Sequence, residues 1–318
     1  MVSSMAETAV DRSTLTLLEH VNINVPDHKF IIKFYFGLLG FGVDPRRAGN
    51  ILKGSNTVWA NCGASQFHLP YGETAQVIPG HIGLRYDSLD ALQKRLDDDS
   101  LKDCYASSEI MENGSIKIVD MYGNVFYCRQ RESPPSLLKQ PLVSKKDTEE
   151  FGDVALTYGC EESECRGIDY VEINCPAGTA EKIALFYDSV LDATTSVVEH
   201  DNEKVAIIAF GDVNANGHAS QSLLFRETSE PLPPYDGHHL AMYVGESKQD
   251  FEQAFKNAEM AGIVWVNPRF SDKAITLQGA KQWKQFRFKD IVDMESGKLI
   301  MELEHEMRSK DHSAWPGI

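Results

Sequence analysis

Several common functions are excluded by what this 318-residue chain lacks. No apolar run approaches the ~20 residues needed to cross a bilayer. The N-terminus, MVSSMAETAV, has no apolar core of the secretory kind. Basic residues are scarce: 31 Lys and Arg against 47 Asp and Glu give a net charge of −16. That balance argues against nucleic acid and anionic membrane as partners, since both require a basic footprint. The six cysteines (Cys62, Cys104, Cys128, Cys160, Cys165 and Cys175) include no paired CxxC of a zinc site. Cys160 and Cys165 form a C-x4-C in an acidic stretch, for which two reduced thiols in a linker are a simpler reading than a metal site. There is no P-loop, no Gly-rich dinucleotide fingerprint and no G-x-S-x-G elbow. A cytoplasmic, reducing compartment is the default expectation, with a short organelle-targeting leader as the alternative.

What is present is repetition. Residues 18–27 read LEHVNINVPD and residues 168–177 read IDYVEINCPA. Each is a strand pattern that ends at a proline and leads into a helix with a Phe-Tyr pair, Phe34-Tyr35 and Phe186-Tyr187. A long period seen once signals a duplicated domain. Each copy is doubled again: His81-Ile-Gly-Leu-Arg-Tyr86 leads to a helix over 87–97 with Asp87 or Ser88 as N-cap, and His239-Leu-Ala-Met-Tyr-Val244 leads to one beginning near Ser247. Short alternating runs at 56–62, 64–70, 115–119, 124–130, 204–210, 219–226, 286–292 and 298–304 read as strands. The pattern is βαβββ, four times. The expected organisation is a flexible N-terminus over 1–15, a first module over 16–131, a linker over 132–166, a second module over 167–305 and a tail over 306–318 in which Trp315 could dock.

Four such units, with histidines on the opening strands and a D-x-x-G-N turn before the last strand of the first half, resemble the vicinal-oxygen-chelate superfamily. This group contains glyoxalase I, extradiol dioxygenases, fosfomycin resistance enzymes and bleomycin-binding proteins. The resemblance rests on LEHVNINVPD with FYFGLLGF, on GHIGLRYDSLDAL and on DMYGNVFYC. It implies an α+β fold in which βαβββ units pair into two modules with curled mixed sheets around a cavity. Two modules in one chain could supply the pairing that shorter relatives obtain by dimerising, so monomer and homodimer both stay open.

A strand alternates faces. His20, Asn22 and Asn24 therefore oppose Val21, Ile23 and Val25, and form a face too polar for an ordinary core. By the same parity His81, Gly83 and Arg85 lie together, as do Gln66 with His68 and Tyr127 with Arg129. The resemblance implies metal ligands at His20, Gln66, His81 and the position of Tyr127, with His68 the substitute for Gln66. Two imidazoles and an amide oxygen suit a first-row divalent ion such as Fe, Ni, Zn, Mn or Co. The family usually has Glu where Tyr127 stands. A phenol with pKa near ~10 brings no negative charge at neutral pH, so Tyr127 is expected to donate to an oxyanion instead. Arg85 could hold an anionic substrate group, with an internal salt bridge as the alternative, and Asn22 and His68 would line the substrate.

The second module is poorer in histidine. Tyr170 stands in the place of His20 and His239 in that of His81. The third-unit position is near Gln221 or Leu223, and the last strand offers Glu302 or Met301. The leading expectation is a divalent-metal enzyme acting on a small oxygen-rich substrate, of isomerase or lyase type. The alternatives are a metal-free small-molecule binder of the bleomycin-resistance kind and an extradiol-type ring-cleaving dioxygenase.

Overall fold

The computed structural model describes residues 11–54, 56–134, 137, 141, 143–159, 162–214 and 218–317. Most of the expected loose N-terminus and Cys160 of the C-x4-C pair lie outside the described residues. Four βαβββ repeats follow one another. After the short strand β1 (Asp11–Arg12), the first contains β2 (Leu15–Asn22), α1 (His28–Ile31) continuing as π-helical turns over Ile32–Leu38, β3 (Gly42–Val43), α2 (Pro45–Lys53), β4 (Thr57–Cys62) and β5 (Ser65–Pro70). The second contains β6 (Gly80–Tyr86), α3 (Asp90–Leu96), β7 (Tyr105–Ile110), β8 (Ile116–Asp120) and β9 (Val125–Gln130). A helix, α4 (Lys145–Tyr158), precedes the third: β10 (Cys165–Pro176), α5 (Ala180–Leu191), β11 (Thr195–His200), β12 (Glu203–Val213) and β13 (Ala219–Thr228). The fourth contains β14 (His239–Val244), α6 (Lys248–Met260), β15 (Val264–Trp265), α7 (Leu277–Trp283), β16 (Gln285–Val292) and β17 (Leu299–Arg308).

Local chemistry sets several boundaries. Ser247 and Asp250 form a reciprocal capping box at the start of α6, satisfying two orphan donors. Asp44 caps α2, with Pro45 in its first turn and Gly54 ending it at φ 60°. At α3 the N-cap is Leu89, not Asp87 or Ser88, although the Ser88 hydroxyl accepts from the Asp90 N–H at 3.1 Å. Two further differences from the sequence expectation concern the link and the tail. The link carries α4, whose Phe151 lies so close to Gly49 of α2 that a Cβ there would stand 2.8 Å from its ring. Strand β17 continues to Arg308 with its last residues buried, so residues 306–308 are strand and not tail.

The strands form two sheets. One has the order β1-β12-β13-β10-β6-β9-β8-β7, with β11 beside β12; the other has β15-β16-β17-β14-β2-β5-β4-β3. Parallel pairing of β2 with β5 sets His20 opposite Gln66 and Asn22 opposite His68. Parallel pairing of β6 with β9 sets Gly83 opposite Tyr127 and Arg85 opposite Arg129.

Two compact units are distinguishable. One comprises Glu19–Glu172, Pro233–Ala241 and the segment from Ser313; the other comprises Ile173–Leu232, Met242–His312 and the segment ending at Leu18. In the first unit the core follows chain order, joining repeats one and two. Tyr35 of the π-helical turns meets Phe67 of β5 at 5.4 Å, and its neighbour Phe34 meets Phe126 of β9 at 5.3 Å. The second unit repeats the device: Tyr187 of α5 meets Phe225 of β13 at 5.5 Å, and Phe186 meets Phe288 of β16 at 5.9 Å. The two Phe-Tyr pairs are thus central to the two cores. Among the described residues no helix is long and apolar enough to cross a membrane.

Candidate functional site

His20 lies on β2, a strand buried along its whole length. Its ring stacks on His68 of β5 at 3.7 Å with an interplanar angle of 24°. His68 stacks in turn on Trp59 of β4 at 4.5 Å and 10°, and the guanidinium groups of Arg46 and Arg47 lie 4.8 and 4.6 Å from the Trp59 ring. His239 of β14 meets His20 edge-on at 5.6 Å. His20 and His239 each offer a ligand nitrogen, and those atoms are within 4.8 Å of each other. On the other side of the ring, His20 Nδ1 lies 2.6 Å from Oε2 of Glu19.

Gln66, expected as a metal ligand, is held by hydrogen bonds of its own. Its amide nitrogen donates to Asp44 at 2.6 Å and to Asn61 at 2.6 Å, and its amide oxygen faces His68 Nε2 at 3.1 Å. Asp44 is shared, because it also accepts from Arg46 Nη2 at 2.6 Å. The amide group thereby orients His68. Asn22, buried on the same strand as His20, pairs in register with His68.

His81 occupies a different neighbourhood. It meets Tyr127 of β9 edge-on at 4.8 Å and Tyr170 of β10 at 5.3 Å, with Glu172 Oε1 3.5 Å from its Nδ1. The expectation that His20 and His81 share one ion is corrected here. They stand on strands of different sheets, and the group of ligand atoms that contains His20 and His239 does not contain His81. The register sets His20 beside Gln66 and Gly83 beside Tyr127, as strand parity allows, but parity does not say which repeat lies alongside. Tyr170 packs on Gly83, where a Cβ would approach its ring to 2.1 Å, and burial raises its phenol above the ordinary range.

Arg85, expected to hold a substrate anion, is fully buried and pairs with Asp169 of β10. Asp169 also takes Arg131 at 2.8 Å and Arg129 at 3.5 Å. Burial lowers the Arg85 proton affinity, and the Asp169 charge acts against that shift. This is the internal salt bridge, the second of the two readings of Arg85. Glu302 is also displaced from its expected role: it is 38% exposed and pairs with Lys289. The buried carboxylates of β17 are Glu304 and Glu306, which hold Arg287 at 2.7 and 2.5 Å beside Asp272 at 2.8 Å. The register between β16 and β17 shifts on either side of the Asp290–Glu302 pair, which matching the last strand by position does not foresee.

Sequence reasoning missed Glu19, Asp44, Trp59 and Glu172. Glu172 was findable, because it shares parity with Tyr170. Asp44 was findable as an Asp-Pro helix start. Glu19 carried no signal, since a regular strand turns it away from His20.

No protein-family model matches the chain, and no curated protein matches it. Among solved structures, glyoxalase I from Zea mays matches with a TM-score of 0.54 at 13% identity, covering 93% of this chain and 93% of that one. A Bacillus subtilis protein provisionally named a dioxygenase matches with a TM-score of 0.53 at 14% identity, covering 93% and 86%. The chain has the two-module glyoxalase-like fold of these structures.

Proposed function

We propose that this chain is a divalent-metal-dependent enzyme acting on a small substrate with a carbonyl or two vicinal oxygens, by isomerase- or lyase-type chemistry. The observation that carries this reading is the pair of buried imidazoles, His20 and His239, with ligand nitrogens within 4.8 Å of each other. Buried nitrogen donors so close together suit a first-row divalent ion, whose identity the donor set leaves open. When bound, the ion supplies Lewis acidity toward a substrate oxygen. Around it the chain's own groups divide the remaining work. His68 and Asn22, paired in register, hydrogen-bond the substrate. The Trp59 face behind His68 excludes water, and Gln66 fixes the His68 ring. The glyoxalase and dioxygenase among the structural neighbours are consistent with a reaction at adjacent oxygens.

A second reading, metal-free binding of a small organic molecule, is favoured by one observation. His81 is surrounded by phenols, with Tyr127 standing where a carboxylate ligand would be. Elemental analysis of untagged protein separates the two. The metal reading expects one divalent ion per chain, lost in His20→Ala and in His239→Ala. Absence of stoichiometric metal after reloading, or unchanged metal content in His20→Ala, overturns it.

A further inference from the structure

We propose that Glu19 is a positioning residue that fixes the tautomer of His20, so that Nε2 is the nitrogen available to an ion. This inference rests on the metal reading above and extends it to a residue that touches no ion. Glu19 is 2% exposed and His20 is fully buried. The Oε2–Nδ1 separation is 2.6 Å, short enough for a charge-assisted hydrogen bond. A buried carboxylate is costly unless it is paired. The pairing is unusual in its local geometry, because neighbours on a strand normally point to opposite faces. Glu19 turns back across the pleat to reach the ring of the next residue. With Nδ1–H donating to the carboxylate, the lone pair of the neutral ring lies on Nε2.

The adjacent histidine supports the assignment by contrast. The Gln66 amide nitrogen donates to two oxygens, Asp44 Oδ2 and Asn61 Oδ1, at 2.6 Å each. Its carbonyl oxygen is therefore the atom that faces His68 Nε2 at 3.1 Å, and His68 must carry its proton on Nε2. Two imidazoles stacked 3.7 Å apart are thus held in opposite tautomers by two unlike partners, Glu19 and Gln66. The stack also restricts ring rotation, so the tautomer of His20 decides which atom can ligate.

The test uses the full chain and two variants. Glu19→Met keeps the length and removes the acceptor; Glu19→Gln keeps an acceptor and removes the charge. Nitrogen-15 NMR of the metal-free protein is expected to show His20 as Nδ1–H and His68 as Nε2–H. Glu19→Met is expected to lose the Nδ1–H preference of His20 only, and to bind Ni(II) about 10–100-fold more weakly. Glu19→Gln is expected to keep the tautomer and fall between the two in affinity. Nε2–H on His20 in the unmodified chain overturns the inference, as does a Glu19→Met protein with unchanged tautomer and affinity. A Glu19-dependent tautomer in a protein that binds no Ni(II) supports the positioning contact and overturns the metal reading, so the two failures are distinguishable.

Discussion

His20 and His81 open consecutive repeats on strands of the same pattern, yet they have different surroundings. His20 is fully buried, with a carboxylate on Nδ1 and two imidazoles as neighbours. The His81 side chain is 23% exposed, with two phenol rings at its edges and its carboxylate at 3.5 Å. The two strands share a pattern and differ in what faces them. One neighbourhood is rich in nitrogen donors, which suit an ion; the other is rich in phenols, which at neutral pH are donors of hydrogen bonds and poor ligands. The lesson is that a repeated motif fixes where a side chain sits, and the surrounding residues fix what it can do.

The largest expected effect breaks or keeps this comparison outright. His20→Ala is expected to abolish stoichiometric divalent-ion binding in equilibrium dialysis, whereas His81→Ala leaves it largely unchanged, since His81 lies outside the group of ligand atoms that contains His20 and His239. Equal losses in both variants would mean that the two histidines serve one ion after all.

The next effect concerns the cluster on the strand face that His81 shares with Arg85. Asp169→Ala leaves the Arg85 guanidinium buried beside Arg129 and Arg131 without its carboxylate. Breaking one side of such a pair costs about 3–5 kcal/mol, readable in urea denaturation. If Arg85 were held for substrate instead, Asp169→Ala would change KM and leave the midpoint in place.

These residues also show how far the sequence could be read. The four repeats were legible because strand alternation and the Phe-Tyr pairs are local patterns, and the two cores are built on those pairs. Strand faces were legible for the same reason: His20 with Gln66, and Gly83 with Tyr127, came out on shared faces. The partner of each repeat was not legible. His239 reaches His20 through sheet order, which periodicity does not encode. Glu19 was hidden by the very alternation that placed His20. Glu302 or Met301 was read by matching the last strand to that of the first half, and such matching does not show the register shifts beside it. Helices α2 and α4 were missed because short amphipathic segments bounded by Asp-Pro and by charge runs resemble loops.

A smaller effect sharpens the phenol side of the comparison. Gly83→Ala places a Cβ about where the Tyr170 ring now lies, 2.1 Å from its nearest atom. Overpacking of this kind costs about 1–3 kcal/mol. The ring must shift away from His81, so ligand-free NMR shifts of His81 should move while those of His20 stay. Movement of both sets would mean that the two neighbourhoods are coupled more tightly than their separate contacts indicate.

A third histidine supplies the control for burial alone. His305 of β17 is fully buried, with Nε2 2.5 Å from the Tyr187 hydroxyl, and stacks on Phe288 at 4.3 Å. Desolvation lowers its pKa from 6.5 to about 3. The unfolded chain therefore takes up a proton between those values while the folded one does not. Its contribution to stability is complete above pH 6.5 and is lost as pH falls through that window toward 3. The slope is at most about 1.4 kcal/mol per pH unit. His305→Phe is expected to flatten the acid limb of a stability–pH curve by that amount, on top of a pH-independent loss of about 1–3 kcal/mol from the buried Tyr187 hydroxyl deprived of this partner. An unchanged limb would mean that His305 is already protonated in the fold. Burial with stacking would then not be enough to keep a core histidine neutral.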